Sequence, residues 1–580
     1  MVGAVVLGNG GLVKDTGPLI SALKAAAGAR NVLVSRSATE RYRKSFRGAV
    51  GDAAAVVRPT TLIGLWRALQ AAVAHDAIVI MQAQNTGLTN GSTPDVEGYD
   101  RPVVIINTLK LSGIQLLEGG RQVVALPGAT LYRLEQLLKP LGREPHSVIG
   151  SSCVGASIVG GVCNNSGGSL VRRGPAYTEL SLYAQLEQNG ELRLVNHLGI
   201  DLGDTPEEML GRLEKEDYSP ADIQRDPGLA SGTGYAAKVR DVDEPSAARF
   251  NADPAFLHEA AGSAGRLCVF AVRLDTFPAE PDAVTYYIGT NDPDALTRAR
   301  RALLGRLKQL PIAGEYMHRD MFWACHKYGR DTFLLIHYLG TDAMPVFFGF
   351  KRRADATLNK LAFLPKSLVD RTVQRLASLW PEMLPRRMLD YGRRFEHHLI
   401  LKVSAASVPE TEAILDEIAD GTITEYFRCT PDDGERAFLH RFSAGSTVAR
   451  YALVNDREVE AILPLDVALR RNDDEWFAPL PPDIAEKIAA PLYCAHFLCH
   501  VFHMELAVKK GVDMAALKAR ILEHLRSRGA QYPAEHNVGH LYEAPPAQVA
   551  FYRRLDPTNA FNPGIGETTR LKNWRLANEP

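Results

Sequence analysis

The fold of this chain of 580 residues is decided at residues 147–169, which read SVIGSSCVGASIVGGVCNNSGGS. Glycine and serine fill this stretch, and only short apolar steps interrupt them. Such backbone can approach a large ligand closely, and its N–H groups can cradle phosphate oxygens. A second run of this kind, AQNTGLTNGSTP, occupies residues 83–94. Two such loops in one domain predict a bound cofactor with a long diphosphate spine.

Composition indicates a soluble globular protein of two or three domains. Hydrophobic residues make up 46% and charged residues 23% of the chain, which has a net charge of −1; both fractions are ordinary. Seven cysteines follow no metal-binding or disulfide spacing, so reduced thiols are the default expectation. We find neither a secretory signal nor an uninterrupted apolar run long enough to cross a bilayer. Attachment to a membrane surface remains compatible with this composition.

Around the two loops, short apolar runs alternate with segments that have helical periodicity. The pattern predicts strands at 54–59, 78–81, 103–106, 123–128, 180–186 and 267–277, and helices at 62–73 and 131–138. We expect the polar stretch 201–250 to be a long excursion with little core. The alternation favours an α+β or α/β first domain that ends near residue 275.

Residues 318–394 are unusually basic, with 14 Lys and Arg against 7 Asp and Glu. Aromatic residues are interleaved, most densely in Phe347-Phe348-Gly349-Phe350-Lys351-Arg352-Arg353. The segment is compatible with a solvated charged face over a core, with adhesion to an anionic lipid surface, or with nucleic-acid binding. The absence of a nucleic-acid motif and the near-neutral net charge argue against the third.

The ordered loops resemble the FAD-binding domain of the vanillyl-alcohol-oxidase type, also called the PCMH type. Further stretches agree with this resemblance: Gly265 to Phe270, Glu535-His536-Asn537-Val538-Gly539, and Asp556 through Gly564. Residues 143–153, 196–203, 468–476 and 531–540 are similar to bacterial respiratory FAD-dependent D-lactate dehydrogenases that reduce quinone. The resemblance covers roughly residues 36–575.

This resemblance implies an α+β fold with a PCMH-type FAD-binding domain and an α+β cap. The expected FAD-binding domain spans 1–275 and 527–580, and the cap spans 276–317, 395–432 and 457–526. A basic, partly helical membrane-associating segment spans 318–394 and 433–456. The implied partners are D-lactate, a membrane quinone and an anionic lipid surface, with no nucleic acid. The implied location is peripheral, on the cytoplasmic face of the bacterial inner membrane, and the oligomeric state stays open.

Carried onto this sequence, the resemblance also assigns the cofactor contacts. They are Ala83, Gln84, Asn85, Thr86, Gly87, Gly91 and Ser92 in the first loop, Gly150, Ser157 and Gly167 in the second, and Val269 on a closing strand. The family often has arginine or glycine at the positions of Gln84 and Asn85. Covalent attachment in this superfamily usually uses a His or Cys in the first loop, and residues 83–92 contain neither. We therefore expect non-covalent FAD.

Oxidation of a 2-hydroxy acid needs a base for the hydroxyl proton, a cation for the carboxylate and a hydride acceptor. His536, flanked by Glu535, is the candidate base, because histidine transfers protons near neutral pH. His397 and His398 are second candidates for polarising the substrate. Arg319 is the candidate carboxylate clamp, because arginine binds carboxylates through two nitrogens.

A metal is not expected from the sequence. Some relatives carry an HxGDGNxH metal motif, and the stretch Phe395 to Lys402 lacks it. His397 or His398 together with Glu535 could still form a site. Cys494, His496, Cys499, His500 and His503 are interpreted as polar inserts on a buried helix over 490–508.

Two other functions remain open at this stage. One is an FAD-dependent dehydrogenase or oxidase that acts on another 2-hydroxy acid or on a sugar, because fold alone does not fix substrate. The other is a non-catalytic, membrane-binding flavoprotein in which Glu535 and His536 are inert.

Overall fold

This computed structural model describes residues 15–45, 48–147, 154–340 and 368–576. The helices of these residues are α1 (Gly17–Ala27), α2 (Arg36–Arg43), α3 (Leu62–Ala74), α4 (Leu131–Leu138), α5 (Ile158–Cys163), α6 (Pro206–Lys215), α7 (Tyr235–Arg240), α8 (Pro293–Arg306), α9 (Arg319–Tyr328), α10 (Arg330–Leu339), α11 (Leu368–Leu376), α12 (Arg386–Arg394), α13 (Val408–Ile418), α14 (Pro431–Phe442), α15 (Ala444–Val454), α16 (Pro482–Ala485), α17 (Met514–Ser527) and α18 (Pro546–Leu555).

The strands of the same residues are β1 (Val32–Leu33), β2 (Ala55–Val57), β3 (Ile78–Gln82), β4 (Val103–Asn107), β5 (Ile114–Leu117), β6 (Gln122–Ala125), β7 (Arg143–Glu144), β8 (Ser181–Leu186), β9 (Leu192–Asn196), β10 (Cys268–Asp275), β11 (Phe277–Pro278), β12 (Val284–Thr290), β13 (Ala313–His318), β14 (His397–Val403), β15 (Thr424–Arg428), β16 (Val459–Ala468), β17 (Ile488–His496) and β18 (Val501–Lys509).

Two sheets form the N-terminal part. A four-stranded sheet has the order β1-β2-β4-β3, in which β4 runs parallel to both β2 and β3. A five-stranded antiparallel sheet has the order β5-β6-β10-β8-β9. These strands and helices α3 and α4 confirm the elements predicted from sequence periodicity. The first cofactor loop therefore begins where β3 ends.

Helix α3 shows why periodicity succeeds in this part of the chain. Its start is capped by the Thr61 side chain, which accepts a hydrogen bond from the N–H of Gly64. Leu62, Leu65, Trp66 and Leu69 are buried along one face of the helix. This stripe packs into a core shared with the strands on either side of the helix.

A seven-stranded sheet carries the other half of the site. Its order is β15-β12-β14-β13-β17-β18-β16, and every pair is antiparallel. Neighbouring residues point to opposite faces, so Tyr286 packs in one core and Tyr287 in another. Helices α9, α12 and α14 contribute to the core on the Tyr287 face. None of the described helices is both long enough and apolar enough to cross a membrane.

The C-terminal residues return to the N-terminal sheets. Phe561 forms a parallel bridge with Val79, and the Arg101 side chain donates to the carbonyl of Asn559 at 2.7 Å. This return carries Glu535 and His536 into the space between the cofactor loops and the seven-stranded sheet.

Two sequence predictions are wrong. Residues 490–508 are not a helix but the strands β17 and β18, joined through a short turn at Phe497–Cys499. The strand period places His496 and His503 on the sheet, whereas the helical interpretation had paired His496 with His500. The stretch 201–250 also contributes to the core, because α6 buries Leu210 and Leu213, and α7 buries Tyr235 and Val239.

Candidate active site

One cavity of about 2760 Å³ receives both glycine-rich loops and one face of the seven-stranded sheet. Ten of the sequence-predicted cofactor residues line it: Ala83, Gln84, Asn85, Thr86, Gly87, Gly91, Ser92, Ser157, Gly167 and Val269. Gly150 lies outside the described residues. The structure therefore brings together the two loops that the sequence places about sixty residues apart.

The first loop is held by its own polar side chains. Ser92 donates to Oδ1 of Asn85 at 2.8 Å, and Gln82 donates to the carbonyl of Ser92 at 2.8 Å. Asn85 has a φ of 60°, in the left-handed region where glycine and asparagine are favoured. Asparagine therefore meets the backbone requirement of this position without a glycine.

The loops fit a dinucleotide. A Cβ atom added at Gly87 would meet nothing within 4 Å, so the backbone there faces open cavity space. In the second loop, Gly155 has a φ of 92°, and the N–H of Gly160 is taken up by Ser157 Oγ at 3.0 Å. The loops thus offer closely approachable backbone without bulky side chains, as an FAD diphosphate requires.

The floor of the cavity is formed by alternate residues of the seven-stranded sheet. Strand register pairs Glu315 with His496, and pairs His503 with both Cys494 and Asp466. Glu315, Cys494, His496 and His503 all line the cavity. Because strand side chains alternate between faces, this register gathers acids and histidines on one surface.

A chain of alternating charges crosses this floor. Glu535 accepts from Arg249 at 2.6 Å and lies 3.4 Å from Nε2 of His496. Nδ1 of His496 lies 2.7 Å from Glu315, whose other oxygen is 3.2 Å from Arg441 Nε. Each buried carboxylate therefore has a cation on both sides, which compensates for its loss of water.

Burial and neighbouring charges shift the pKa values of these residues in opposite directions. Burial by itself lowers the pKa of His496, but Glu315 and Glu535 outweigh it and raise the pKa to about 10. Burial raises the pKa of Glu535, but Arg249 and His496 hold it well below the usual range of a carboxyl group. His496 is therefore a cation and Glu535 an anion at neutral pH.

His536 is positioned by Asp466. Oδ2 of Asp466 accepts the backbone N–H groups of Glu535 at 2.6 Å and His536 at 3.0 Å. The same oxygen lies 3.3 Å from Nδ1 of His536. The His536 side chain remains 32% exposed and lines the cavity. One ring nitrogen is thus held by a buried acid, and the ring still reaches the ligand space.

Three of these residues could bind a metal ion if His496 gave up a proton. Ligand atoms of His496, His503 and Glu535 lie within 4.8 Å of one another. Imidazole and carboxylate ligands of this kind suit divalent transition metals. From sequence no metal is expected, and His397 or His398 with Glu535 is the set that could still form a site; the described residues instead bring His496 and His503 to Glu535.

The structure does not place the other sequence candidates in the cavity. His397 is 1% exposed and contacts Tyr316, and His398 is fully buried against Phe322. Burial lowers the pKa of His397 to about 4 and that of His398 to about 3, so both are neutral packing residues. Arg319 begins α9 and does not line the cavity. Their spacing in the sequence could not show which sheet face they occupy.

Four residues of the site were missed by sequence reasoning: Arg249, Glu315, Arg441 and Asp466. Arg249 lies in the stretch interpreted as an excursion, and Arg441 lies in the segment 433–456 that was assigned to membrane association. Asp466 and Glu315 do lie in strands, and alternation could have marked them as lying on one face. Only strand register brings them next to His496 and His503.

Comparison with family models divides the chain in two. A model described as "FAD binding domain" matches residues 53–191. A second, "D-lactate dehydrogenase, membrane binding", matches residues 285–574. The first range contains both glycine-rich loops, and the second contains the seven-stranded sheet.

Curated relatives match over almost the whole chain. The quinone-dependent D-lactate dehydrogenase of Escherichia coli K12 is 53% identical over 97% of this chain and 98% of its own length. The protein of the same name from Haemophilus influenzae is 53% identical over 96% and 99%. That from Corynebacterium glutamicum is 44% identical over 96% and 97%.

Solved structures show the fold. p-Cresol methylhydroxylase with substrate bound has a TM-score of 0.56 at 12% identity, covering 95% of this chain and 96% of that one. 4-Ethylphenol oxidase from Gulosibacter chungangensis has a TM-score of 0.57 at 12% identity, covering 97% and 98%. The expected α+β, PCMH-type FAD-binding fold is thereby confirmed.

Proposed function

The chain belongs to the family of quinone-dependent D-lactate dehydrogenases, and from this membership we propose how its own residues oxidise D-lactate. It is a membrane-associated flavoenzyme that oxidises D-lactate and uses a quinone as electron acceptor. The overall reaction moves two electrons and two protons, so D-lactate and quinone become pyruvate and quinol. The chemistry that bound FAD would supply is a hydride acceptor for C2 of the substrate.

The proposal rests on one observation: the candidate base, the candidate cation and the cofactor loops line the same cavity. His536, Arg441 and both cofactor loops line one cavity, and we propose that a small substrate on the sheet floor contacts base, cation and cofactor together. The loops Ala83 to Ser92 and Ser157 to Gly167 are proposed to hold the FAD without a covalent bond.

His536 is the proposed base for the hydroxyl proton of the substrate. Asp466 lies beside Nδ1, which favours a proton on that nitrogen and leaves Nε2 to accept the substrate proton. Asp466 then stabilises the imidazolium that forms. Glu535 is proposed as a positioning residue, because it holds Arg249 and His496 in place.

Arg441 replaces Arg319 as the proposed clamp for the substrate carboxylate. Arg441 lines the cavity, and its Nε lies 3.2 Å from Glu315. Within the described part of the chain, its two terminal nitrogens make no hydrogen bond. A guanidinium with two available donors matches the geometry of a carboxylate.

We also propose the domain division stated from sequence. The FAD-binding domain takes 1–275 and 527–580, the cap 276–317, 395–432 and 457–526, and the membrane-associating segment 318–394 and 433–456. In support, β10 completes the second sheet at Asp275, and the C-terminal residues return to β3. The last segment supplies α9 to α12, α14 and α15.

The membrane contact is proposed to use an anionic lipid surface. Tyr338, Leu339, Leu376 and Leu379 are exposed apolar side chains at the ends of α10 and α11. The intervening sequence, which includes the aromatic and basic run Phe347 to Arg353, lies outside the described residues. We place this contact on the cytoplasmic face of the bacterial inner membrane, since all six cysteines in the described part of the chain are free thiols.

The test is an absorption spectrum of the purified protein, taken anaerobically before and after D-lactate or L-lactate. Flavin absorption that bleaches with D-lactate alone is the expected result. Bleaching with neither isomer would keep the cofactor and point to another 2-hydroxy acid or a sugar. Absence of flavin after added FAD would overturn the proposal.

A further inference from the structure

The cavity is larger than a typical small-molecule pocket. Ligand pockets for drug-sized molecules span roughly 300–1000 Å³, whereas this cavity has about 2760 Å³. Residues of α14 and α15 line it in addition to the acids and histidines of the sheet. Room therefore remains for a second, extended ligand.

Five apolar side chains of α14 and α15 line the cavity, and we call them the apolar wall: Phe438, Leu439, Phe442, Val448 and Leu453. Phe438 and Phe442 are four residues apart on α14, so they lie on one side of that helix. Val448 and Leu453 continue the wall along α15, and Ile462 and Pro464 lie opposite on β16. All of these side chains are only partly buried.

The apolar wall begins at the cofactor loops. Leu439 and Phe442 pack in a small cluster with Val154 of the second loop and with Ile336 of α10. Val154 also lines the cavity. The wall thus leads from the cofactor to α10, whose end exposes Tyr338 and Leu339. A hydrophobic chain lying along it would connect the cofactor with the membrane-associating segment.

We propose that the apolar wall binds the isoprenoid tail of the quinone, with the headgroup near Val154. The inference rests on the proposed function, which supplies the quinone as acceptor. Removing methylene groups from water is favourable, so a tail against five apolar side chains increases affinity. The apolar wall meets the cofactor loops at one end and leads to exposed apolar residues at the other. A lipid-soluble acceptor is the occupant that fits both ends.

Gly445 offers a way to close this passage. It lies in α15 and lines the cavity, and a Cβ atom there would meet nothing within 4 Å. Gly445→Trp therefore adds a large ring at a cavity-lining position where the first side-chain atom has open space. Gly305 in α8 is a matched control, because it is also exposed, also meets nothing within 4 Å and does not line the cavity.

The experiment compares three acceptors for D-lactate oxidation by the detergent-solubilised full-length holoenzyme: a benzoquinone with a decyl tail, the same ring without a tail, and a water-soluble dye. We expect Gly445→Trp to raise KM for the decyl quinone at least tenfold. KM for the tailless quinone, the dye and D-lactate should stay within twofold. Gly305→Trp should change none of these constants.

A second variant removes contact instead of blocking it. Val448→Ser should raise KM for the decyl quinone about threefold and leave the tailless quinone unchanged. Equal KM changes for both quinones, or no change for the decyl quinone, would overturn the proposal. A parent enzyme that cannot reduce the dye with D-lactate would instead refute the proposed function, so the two failures are distinguishable.

Discussion

Gly167 of the second cofactor loop lies directly against the Glu535 carboxylate, and a Cβ atom at this glycine would be 2.3 Å from Oε1. The N–H of the next residue, Gly168, donates to the same oxygen at 3.3 Å. The loop that is expected to hold the cofactor therefore also fixes the acid that positions Arg249 and His496. Cofactor binding and the charge chain of the sheet floor share one contact.

Substitution Gly167→Ala tests this contact. The added methyl group would push the Glu535 side chain or the loop away, so we expect FAD affinity and kcat to fall together, each at least tenfold. Flavin content after gel filtration and D-lactate-dependent dye reduction measure the two effects. Gly211→Ala is the control, because that helical glycine has open space around it. Unchanged flavin content and turnover in Gly167→Ala would contradict the shared contact.

Removal of the proposed base gives a second prediction. His536→Gln should retain FAD, while the rate of anaerobic flavin bleaching by D-lactate falls about 10²- to 10⁴-fold, the usual contribution of acid–base catalysis. His197→Gln, which changes a half-exposed histidine away from the cavity, should bleach at the parental rate. A near-normal rate for His536→Gln would remove this residue from the mechanism.

A third prediction distinguishes between two arginines as the residue that binds the substrate carboxylate. Arg441→Ala should raise KM for D-lactate about 100-fold, because each charge-assisted hydrogen bond contributes roughly 1.5–3 kcal/mol. Arg441→Lys should recover only part of this loss, since an ammonium group cannot bind the carboxylate through a planar fork. Arg319→Ala is the matched comparison and should keep KM within twofold. The reverse ranking of these two alanine variants would restore Arg319 as the clamp.

Buried neutral histidines should make stability fall in acid. Burial, with neighbouring histidines, lowers the pKa of His398 to about 3, against the ordinary value of 6.5. The unfolded chain therefore binds a proton below pH 6.5 that the folded chain refuses until about pH 3, so stability is full above pH 6.5 and declines as the pH falls. At pH 5 this histidine alone lowers the free energy of unfolding by about 2 kcal/mol.

His398→Leu should remove that contribution. Both ring nitrogens of His398 lack hydrogen-bond partners in the described structure, so the variant should match or exceed the parent at pH 7. Urea unfolding measures the free energy of unfolding at pH 7 and at pH 5. The difference between these two values should be about 2 kcal/mol smaller in the variant than in the parent. His75→Leu, at an exposed position, should keep the parental difference. An unchanged pH dependence in His398→Leu would show that His398 is not held neutral.

Membrane association should weaken with salt. The segment 318–394 carries an excess of basic residues, and each one near an anionic surface contributes about 1 kcal/mol that counterions screen. Sedimentation with vesicles that contain anionic lipid should show most of the protein bound at low salt and little at 0.5 M. Vesicles of zwitterionic lipid alone provide the reference. Binding that does not respond to salt would leave the exposed apolar residues as the main attachment.

Local pattern determined much of the fold. Apolar runs predicted β3 and β4, and helical periodicity predicted α3 and α4, because these elements depend on neighbours within a few residues. The loop Ala83 to Ser92 could likewise be placed from its own composition. The histidines of 490–508 misled this reasoning, since an i, i+4 spacing and a strand period of two both fit a short apolar segment.

The sequence by itself determined the cofactor loops, the family and the placement of His536 beside Glu535. Only the tertiary structure decided which charges meet in the site. Arg249, Glu315, Arg441, His496 and Glu535 come from five distant parts of the chain. Their meeting depends on strand register and on the return of the C-terminal residues, and a shift of one residue would turn Glu315 and His496 to the opposite face. Such long-range pairing leaves no local signal, because its free energy comes from packing between segments far apart in sequence.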